Sequence, residues 1–230
     1  MRPITLLPGL ACDAELWRPQ LQVLPPRRPV RVSDVHARCD TLPQMAEALL
    51  AEEPGELLLC GTSMGGMLAL EVVRQAPQRV KALALLATSA RPDTPELVEL
   101  RSDAIRRFEQ GRLREVLQAN LAFAFDPAHA QALAPAYLAM MERAGAAQLI
   151  AQNRAVMARA DQRPLLPQIA CPTLVLVGRS DKITPPEHAL ELAAGIPGAR
   201  LEQIDICGHM LTWEQPERVN ALLADWFDPL

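Results

Sequence analysis

Six short apolar runs, separated by longer segments with helical signals, restrict the fold of this 230-residue chain more than any other feature. Runs such as residues 57–59 and 174–177 show little polar alternation, which is typical of strands buried on both faces. Their alternation with helical segments predicts an α/β fold, a parallel sheet with helices on both faces. The six predicted strands are residues 4–7, 30–35, 56–60, 80–87, 173–177 and 200–206.

Capping signals mark where several helices begin. Thr41, followed by Gln44 three residues later, fits a capping box, in which side chains satisfy free amides of the first helical turn. Thr184, followed by Pro185 and Glu187, fits the same pattern with proline at the first helical position. A last helix is predicted over residues 216–227 from apolar residues at helical spacing, namely Val219, Leu222, Leu223 and Trp226.

Residues 91–163 interrupt this alternation, because they carry helical signals and no convincing strand. Thr94 and Asp126 each read as an N-cap that is followed by proline. A helical insert of about 70 residues within an α/β pattern favours a lid over a linker. We therefore expect an α/β body formed by residues 1–90 and 164–230, with residues 91–163 as a helical cap.

The composition excludes several classes of protein. Hydrophobic residues make up 50% and charged residues 22% of the chain, which indicates an ordinary globular protein and not a disordered one. The net charge is −4 and no run of Lys or Arg stands out, so we expect no nucleic-acid partner. No segment approaches the roughly 20 apolar residues of a membrane span, and no secretory signal pattern opens the chain.

The cysteines favour a reducing compartment. Their odd number and the lack of CxxC spacing argue against a disulfide framework and against a zinc site. No Walker loop or dinucleotide fingerprint occurs either, so we predict a cytoplasmic protein without metal or cofactor. The five cysteines are Cys12, Cys39, Cys60, Cys171 and Cys207.

The segment Gly61-Thr62-Ser63-Met64-Gly65, which joins the third predicted strand to a helix, is the strongest chemical signal. In that context G-x-S-x-G places the serine at the tip of a sharp, strained turn. Side chains two positions before and after the serine would clash there, so both positions need glycine. The turn also puts the serine at a helix N-terminus, where the helix dipole favours developing negative charge. The alternative interpretation is a glycine turn without chemistry.

A serine hydroxyl needs a base before it becomes a good nucleophile. The chain has four histidines, and His209 lies just past the sixth predicted strand. The carboxyl ends of parallel strands meet at one edge of the sheet, where ligands bind in open α/β folds. His209 is therefore the predicted base, and His36, which follows the second predicted strand, is the second candidate.

The base needs an acid that orients it. Asp181 follows the fifth predicted strand, and one helix and one strand separate it from His209, so both return to the same edge. Asp205 is a competing candidate, because it is near His209 in the sequence. We favour Asp181 over Asp205 and over its interpretation as a plain turn residue.

An oxyanion needs two preorganised N–H donors. One candidate is the amide of Met64, directly after the serine. The other is the amide of Leu10 in the loop Pro8-Gly9-Leu10, where glycine lets the backbone approach closely. An ordinary Pro-Gly turn is the alternative interpretation of that loop.

Four segments together resemble the α/β-hydrolase superfamily over essentially the whole chain: residues 6–10, 61–66, 172–181 and 208–210. The chain looks most like the small carboxylesterase branch. The resemblance implies Ser63 as nucleophile, Asp181 as acid and His209 as base, which is the chain order of that fold. It also implies a helical cap over the site.

Two departures from the family pattern stand out. Pro8-Gly9 stands where many relatives carry His-Gly before the oxyanion residue. The first antiparallel strands of the family are missing, so we expect about six parallel strands and not a mixed sheet of eight.

The expected activity is hydrolysis of a small-molecule carboxylic ester, with a small or aliphatic acyl group, through an acyl-enzyme. The same triad leaves C–C bond hydrolysis, enol-lactone opening and perhydrolysis as alternatives, because a fold does not fix its chemistry. A non-catalytic hydrolase fold that binds a ligand is an alternative of another class.

Overall fold

The computed structural model describes residues 2–24 and 28–229. These residues form six strands: β1 (Ile4–Leu7), β2 (Val30–Val32), β3 (Leu57–Thr62), β4 (Val80–Leu86), β5 (Thr173–Gly178) and β6 (Arg200–Ile204). They also form nine α-helices: α1 (Arg18–Leu21), α2 (Leu42–Glu52), α3 (Met64–Gln75), α4 (Pro95–Glu109), α5 (Leu113–Ala124), α6 (Pro127–Met157), α7 (Pro186–Gly195), α8 (Leu211–Glu214) and α9 (Pro216–Phe227).

The strands form one parallel sheet in the order β2-β1-β3-β4-β5-β6, which confirms the predicted six-stranded α/β fold. Alternate residues of each strand enter different cores. Leu6 and Leu58 pack into a core that includes residues of α9, whereas Leu7 and Leu59 pack into one that includes residues of α2, α3 and α7. Since helices bury both faces, the strands are continuous apolar runs.

The second strand is shorter than predicted. β2 ends at Val32, and Val35–Ala37 forms a 3-10 helix in place of the last part of predicted strand 30–35. β2 is an edge strand that pairs only with β1, and β1 ends before Pro8, which has no N–H to offer. β6 likewise ends at Ile204, two residues before the predicted end.

Of the two predicted capping boxes, the cap by Thr41 is confirmed and the cap by Thr184 is wrong. The hydroxyl of Thr41 accepts a hydrogen bond from the N–H of Gln44 at 3.3 Å, at the start of α2. By contrast, α7 begins at Pro186 with Pro185 in the capping position and no side-chain cap bond. The hydroxyl of Thr184 donates to Asp181 instead.

The helices α4, α5 and α6 lie between β4 and β5, and no strand occurs in residues 91–163. The side chains of Thr94 and Asp126 cap α4 and α6, as predicted. α6 is kinked at Gly145, whose φ of 76° lies in the left-handed region that favours glycine.

The two ends of this insert are joined by a buried ion pair. Arg159 Nη1 lies 2.8 Å from Asp93 Oδ1, and the two side chains are 5% and 2% exposed. Arg159 also donates to the carbonyl of Arg91. The other carboxylate oxygen of Asp93 accepts from Arg101 at 2.7 Å. These contacts join the segment that follows β4 to the segment that follows α6.

Candidate active site

Ser63 lies between β3 and α3, with φ 52° and ψ −119°. A non-glycine residue with such a backbone costs on the order of 1–3 kcal/mol and persists only where its surroundings enforce it. Here the N–H of Ser63 donates to the carbonyl of Leu86 at 2.9 Å, and the hydroxyl of Thr88 donates to the carbonyl of Ser63 at 2.7 Å. Leu86 is the last residue of β4 and Thr88 lies two residues later, so the adjacent strand holds the turn in place.

The glycines around Ser63 have the close contacts that the motif predicts. A Cβ on Gly61 would overlap the carbonyl of Gly65, and a Cβ on Gly65 would overlap the carbonyl of Leu7. Two crossing backbone segments therefore pass where side chains would otherwise stand.

The structure brings Ser63, His209 and Asp181 into one hydrogen-bonded chain. Ser63 Oγ lies 3.0 Å from His209 Nε2, and His209 Nδ1 lies 2.9 Å from Asp181 Oδ2. The three side chains come from the ends of β3, β5 and β6, which share the carboxyl edge of the sheet. An imidazole held between a serine hydroxyl and a buried carboxylate is the arrangement that accepts a serine proton.

Asp181 is 3% exposed, and all of its oxygen contacts favour the charged form. Oδ1 accepts from the N–H groups of Ile183 and Thr184, both at 2.9 Å, and Oδ2 accepts from the Thr184 hydroxyl at 2.9 Å. Burial by itself raises the pKa of Asp181, but the His209 charge and these hydrogen bonds outweigh it and lower the pKa below its ordinary value.

Thr184 is a site residue that the sequence analysis missed. Its hydroxyl lies 2.9 Å from Asp181 Oδ2 and 3.3 Å from His209 Nδ1. The sequence contained a usable signal, because an Asp whose side chain accepts from amides two and three residues later forms a recognised turn. The helix that follows made the capping interpretation more attractive.

The two competing candidates lie elsewhere. His36 is buried, and its Nε2 is 2.7 Å from the carbonyl of Cys12. Burial, the largest influence, lowers the pKa of His36. Asp205 is exposed and pairs with Arg179 at 2.7 Å. Neither contacts Ser63 or His209.

The loop after β1 lies beside Ser63, since a Cβ on Gly9 would be 3.4 Å from the Ser63 Cβ. Within residues 2–24 and 28–229, the N–H groups of Leu10 and Met64 have no hydrogen-bond acceptor. The next amide, that of Ala11, does have one, because Gln152 Oε1 on α6 accepts from it at 2.6 Å. Gln152 was not among the sequence candidates.

The described part of the chain holds no group of three or more His, Cys, Asp or Glu side chains placed to bind a metal ion. Among those same residues, no helix combines the length and the apolar character that crossing a bilayer requires.

The model of the alpha/beta hydrolase fold family matches residues 33–216, so the chain belongs to the α/β-hydrolase fold family. It is 30% identical to a pimeloyl-[acyl-carrier protein] methyl ester esterase of Aromatoleum aromaticum, over 96% of each chain. It is 32% identical to a 2-hydroxy-6-oxononadienedioate/2-hydroxy-6-oxononatrienedioate hydrolase of Paraburkholderia xenovorans, over 73% of this chain and 61% of that protein.

Solved structures agree with this assignment. A thermophilic esterase from Thermogutta terrifontis superposes with a TM-score of 0.91 at 28% identity, covering 100% of this chain and 90% of that one. Relatives in both comparisons include esterases and other hydrolases, and the chain is a hydrolase of this family.

Proposed function

We propose that this chain hydrolyses carboxylic esters with Ser63 as nucleophile, His209 as general base and Asp181 as the acid that orients it. The observation that carries the proposal is the unbroken hydrogen-bonded chain from Ser63 Oγ through the His209 imidazole to Asp181. The match to esterases over the whole length of the chain supports the same reaction class.

Acylation begins when Ser63 Oγ attacks the ester carbonyl and His209 Nε2 accepts its proton. The charge on the carbonyl oxygen is then stabilised by the amides of Leu10 and Met64, which are free to donate. His209 returns the proton to the leaving alcohol, and the acyl group stays on Ser63.

Deacylation repeats the sequence with water as the nucleophile. His209 accepts a proton from water, the hydroxide attacks the acyl carbonyl, and Ser63 leaves with the proton that His209 returns. Asp181 keeps Nδ1 of His209 protonated throughout, so that Nε2 faces the serine as the acceptor.

We further propose that residues 91–163 form a cap at this site. The carbonyl of Ala124, the last residue of α5, accepts from the N–H groups of His209 and Met210 at 3.1 and 3.3 Å. Tyr137 and Met140 of α6 belong to the same core as Cys12 of the loop after β1. These contacts support a position of residues 91–163 over the carboxyl edge of the sheet.

The proposed substrate class rests on the relatives. Full-length similarity to methyl ester esterases favours an ester of a small alcohol. For cellular location, the five free cysteines favour the cytoplasm. Fractionation of the source cells tests that assignment.

A second candidate, C–C bond hydrolysis, is favoured by one observation. The 2-hydroxy-6-oxononadienedioate/2-hydroxy-6-oxononatrienedioate hydrolase of Paraburkholderia xenovorans is 32% identical to this chain, although over 61% of its own length. Both reactions use a serine, a histidine and an aspartate, so the distinction must come from substrate and not from the triad.

A panel of p-nitrophenyl and methyl esters of increasing acyl length, tested on wild type and Ser63→Ala, examines the proposal. We expect short to medium esters to be hydrolysed and Ser63→Ala to lose at least about 10³-fold in kcat. Cleavage of a vinylogous diketone with neglect of the esters would establish the C–C reaction instead. Full esterase activity in Ser63→Ala would remove Ser63 from its role. Failure of wild-type Ser63 to react with a phosphonate would indicate a non-catalytic fold.

A further inference from the structure

Glu214, the last residue of α8, is a buried carboxylate that the triad does not use, with 4% of the residue exposed. Its Oε2 accepts from the N–H of Gly208 at 2.9 Å and from the N–H of Asp126 at 2.8 Å. Its Oε1 accepts from the N–H of Met210 at 3.0 Å. One side chain therefore binds three main-chain amides, two of which flank His209.

Within residues 2–24 and 28–229 Glu214 forms no ion pair, and its charged form is favoured by the three amides and, to a smaller extent, by His129. Burial, the largest influence, raises the pKa of Glu214 even though the three amides favour its charged form. Loss of this acceptor would remove a hydrogen bond from three main-chain N–H groups, so one side chain couples the backbone on both sides of His209.

The loop that Glu214 binds has little other freedom. A Cβ on Gly208 would lie 2.6 Å from the amide nitrogen of Asp126, so only glycine fits at that crossing. The N–H of His209 donates to the carbonyl of Ala124 at 3.1 Å. Glu214 thus fixes the backbone on each side of His209, and the carbonyl of Ala124 fixes the N–H of His209 itself.

We propose that Glu214 is a positioning residue, which holds the main chain on both sides of His209 so that the imidazole stays in line with Ser63 and Asp181. The inference rests on the proposed function, because it assigns Glu214 a part in the work of His209. Glu214 forms no hydrogen bond with Ser63 or with the imidazole ring, and it acts on His209 through the amides of Gly208 and Met210.

Glu214→Gln is the sharpest variant, because glutamine keeps the size of the side chain and replaces one acceptor by a donor. The NH2 group of the glutamine then faces at least one of the three amides, donor against donor; even the N–H of Met210 would keep only its longer bond to the carbonyl of Ala124 at 3.3 Å, and the loop shifts. The matched control is Glu53→Gln. Glu53 directly follows α2 and is also buried (6% exposed), but it pairs with Arg31. Both variants are compared with wild type for melting temperature, for kcat and KM on a methyl ester, and for the rate at which a phosphonate labels Ser63.

We expect Glu214→Gln to stay folded and to lose about tenfold in kcat, with KM changed less than about twofold, because small misplacements of a reacting group cost this much or more. Phosphonate labelling of Ser63 falls by a similar factor, and Glu53→Gln keeps wild-type rates. Wild-type kcat and labelling in folded Glu214→Gln would overturn the proposal. So would failure of Glu214→Gln to fold while Glu53→Gln folds, because Glu214 would then be a structural residue.

A second measurement uses only wild type. The amide of Gly208, whose acceptor is Glu214 Oε2, is expected to be protected from hydrogen exchange as strongly as the amides of β5. Exchange as fast as in an unfolded peptide would contradict the inference. These outcomes differ from failure of the proposed function, in which wild type itself neither hydrolyses esters nor reacts with the phosphonate.

Discussion

Gln152 and Ala11 lie 141 positions apart in the chain, yet Gln152 Oε1 accepts a hydrogen bond from the Ala11 amide at 2.6 Å. The Nε2 of the same side chain donates to the carbonyl of His36 at 2.8 Å. Gln152 is 1% exposed, and Ala11 has a φ of 55°, a backbone conformation that alanine rarely adopts. A helix of the insert thus fixes the loop that carries the Leu10 amide.

Gln152→Leu tests this contact. The Ala11 amide loses its acceptor, so the loop relaxes toward a lower-energy backbone and the Leu10 amide moves away from the oxyanion. We expect kcat on a methyl ester to fall about tenfold, less than the 10²–10³-fold loss for full removal of an oxyanion donor. Gln162→Leu is the control, because Gln162 is also buried but donates to the carbonyl of Met67 instead. Equal losses in both variants would contradict the prediction.

Asp181→Asn tests the pH dependence of stability. The folded pKa of Asp181 lies below its ordinary value, so its contribution is present above the unfolded pKa of about 4 and is lost as pH falls toward the folded pKa. We expect the variant to be about 1–3 kcal/mol less stable at pH 7, and the difference to shrink below about pH 4. Urea unfolding at several pH values measures this. A difference that grew in acid would have the wrong sign.

Thr184→Val removes only the hydroxyl that donates to Asp181 Oδ2. We expect a loss of about 1 kcal/mol in the free energy of unfolding and a severalfold fall in kcat, since the carboxylate loses one of its fixed donors. Thr5→Val is the matched control, because the Thr5 hydroxyl is buried without a hydrogen-bond partner and its removal costs little. Thermal unfolding and steady-state kinetics of the two variants check the prediction, which fails if both behave alike.

Asp93→Asn tests the ion pair between the two ends of residues 91–163. Asn leaves the buried Arg159 cation without its counter-charge, and removal of one partner from a buried pair costs about 3–5 kcal/mol. The exposed pair of Asp103 with Arg107 provides the control, since Asp103→Asn is expected to cost less than about 1 kcal/mol. Chemical denaturation gives both values, and a loss below about 1 kcal/mol for Asp93→Asn would refute the prediction.

The sequence predicted those parts of the fold and site that depend on local pattern and on parallel topology. Ser63 follows from a steric rule about the glycines beside it. His209 and Asp181 follow from the expectation that strands end at one edge, and the structure brings both to Ser63. The prediction of His209 and Asp181 needed only their residue types and their positions after the predicted strands.

The parts that escaped the sequence depend on partners without a sequence signature. Gln152 and Glu214 bind main-chain amides 141 and 88 positions away, and an amide looks the same at every residue. The cap predicted for Thr184 is wrong, because its hydroxyl could either cap α7 or donate to Asp181. Only the position of Asp181 in the fold decides between the two. Long-range hydrogen bonds of this kind can be identified only from the folded structure.

The hydrogen bonds from His209 and Met210 to Ala124 have a consequence for how this enzyme diversifies. In many enzymes a recognition module is exchanged while the reacting groups stay as they were. In the proposed arrangement, residues 91–163 meet the substrate and also hold the main chain of His209, the proposed base. Grafting another insert onto this body would therefore change the rate of the chemical step together with substrate preference, so adaptation to new esters has to proceed through coupled changes.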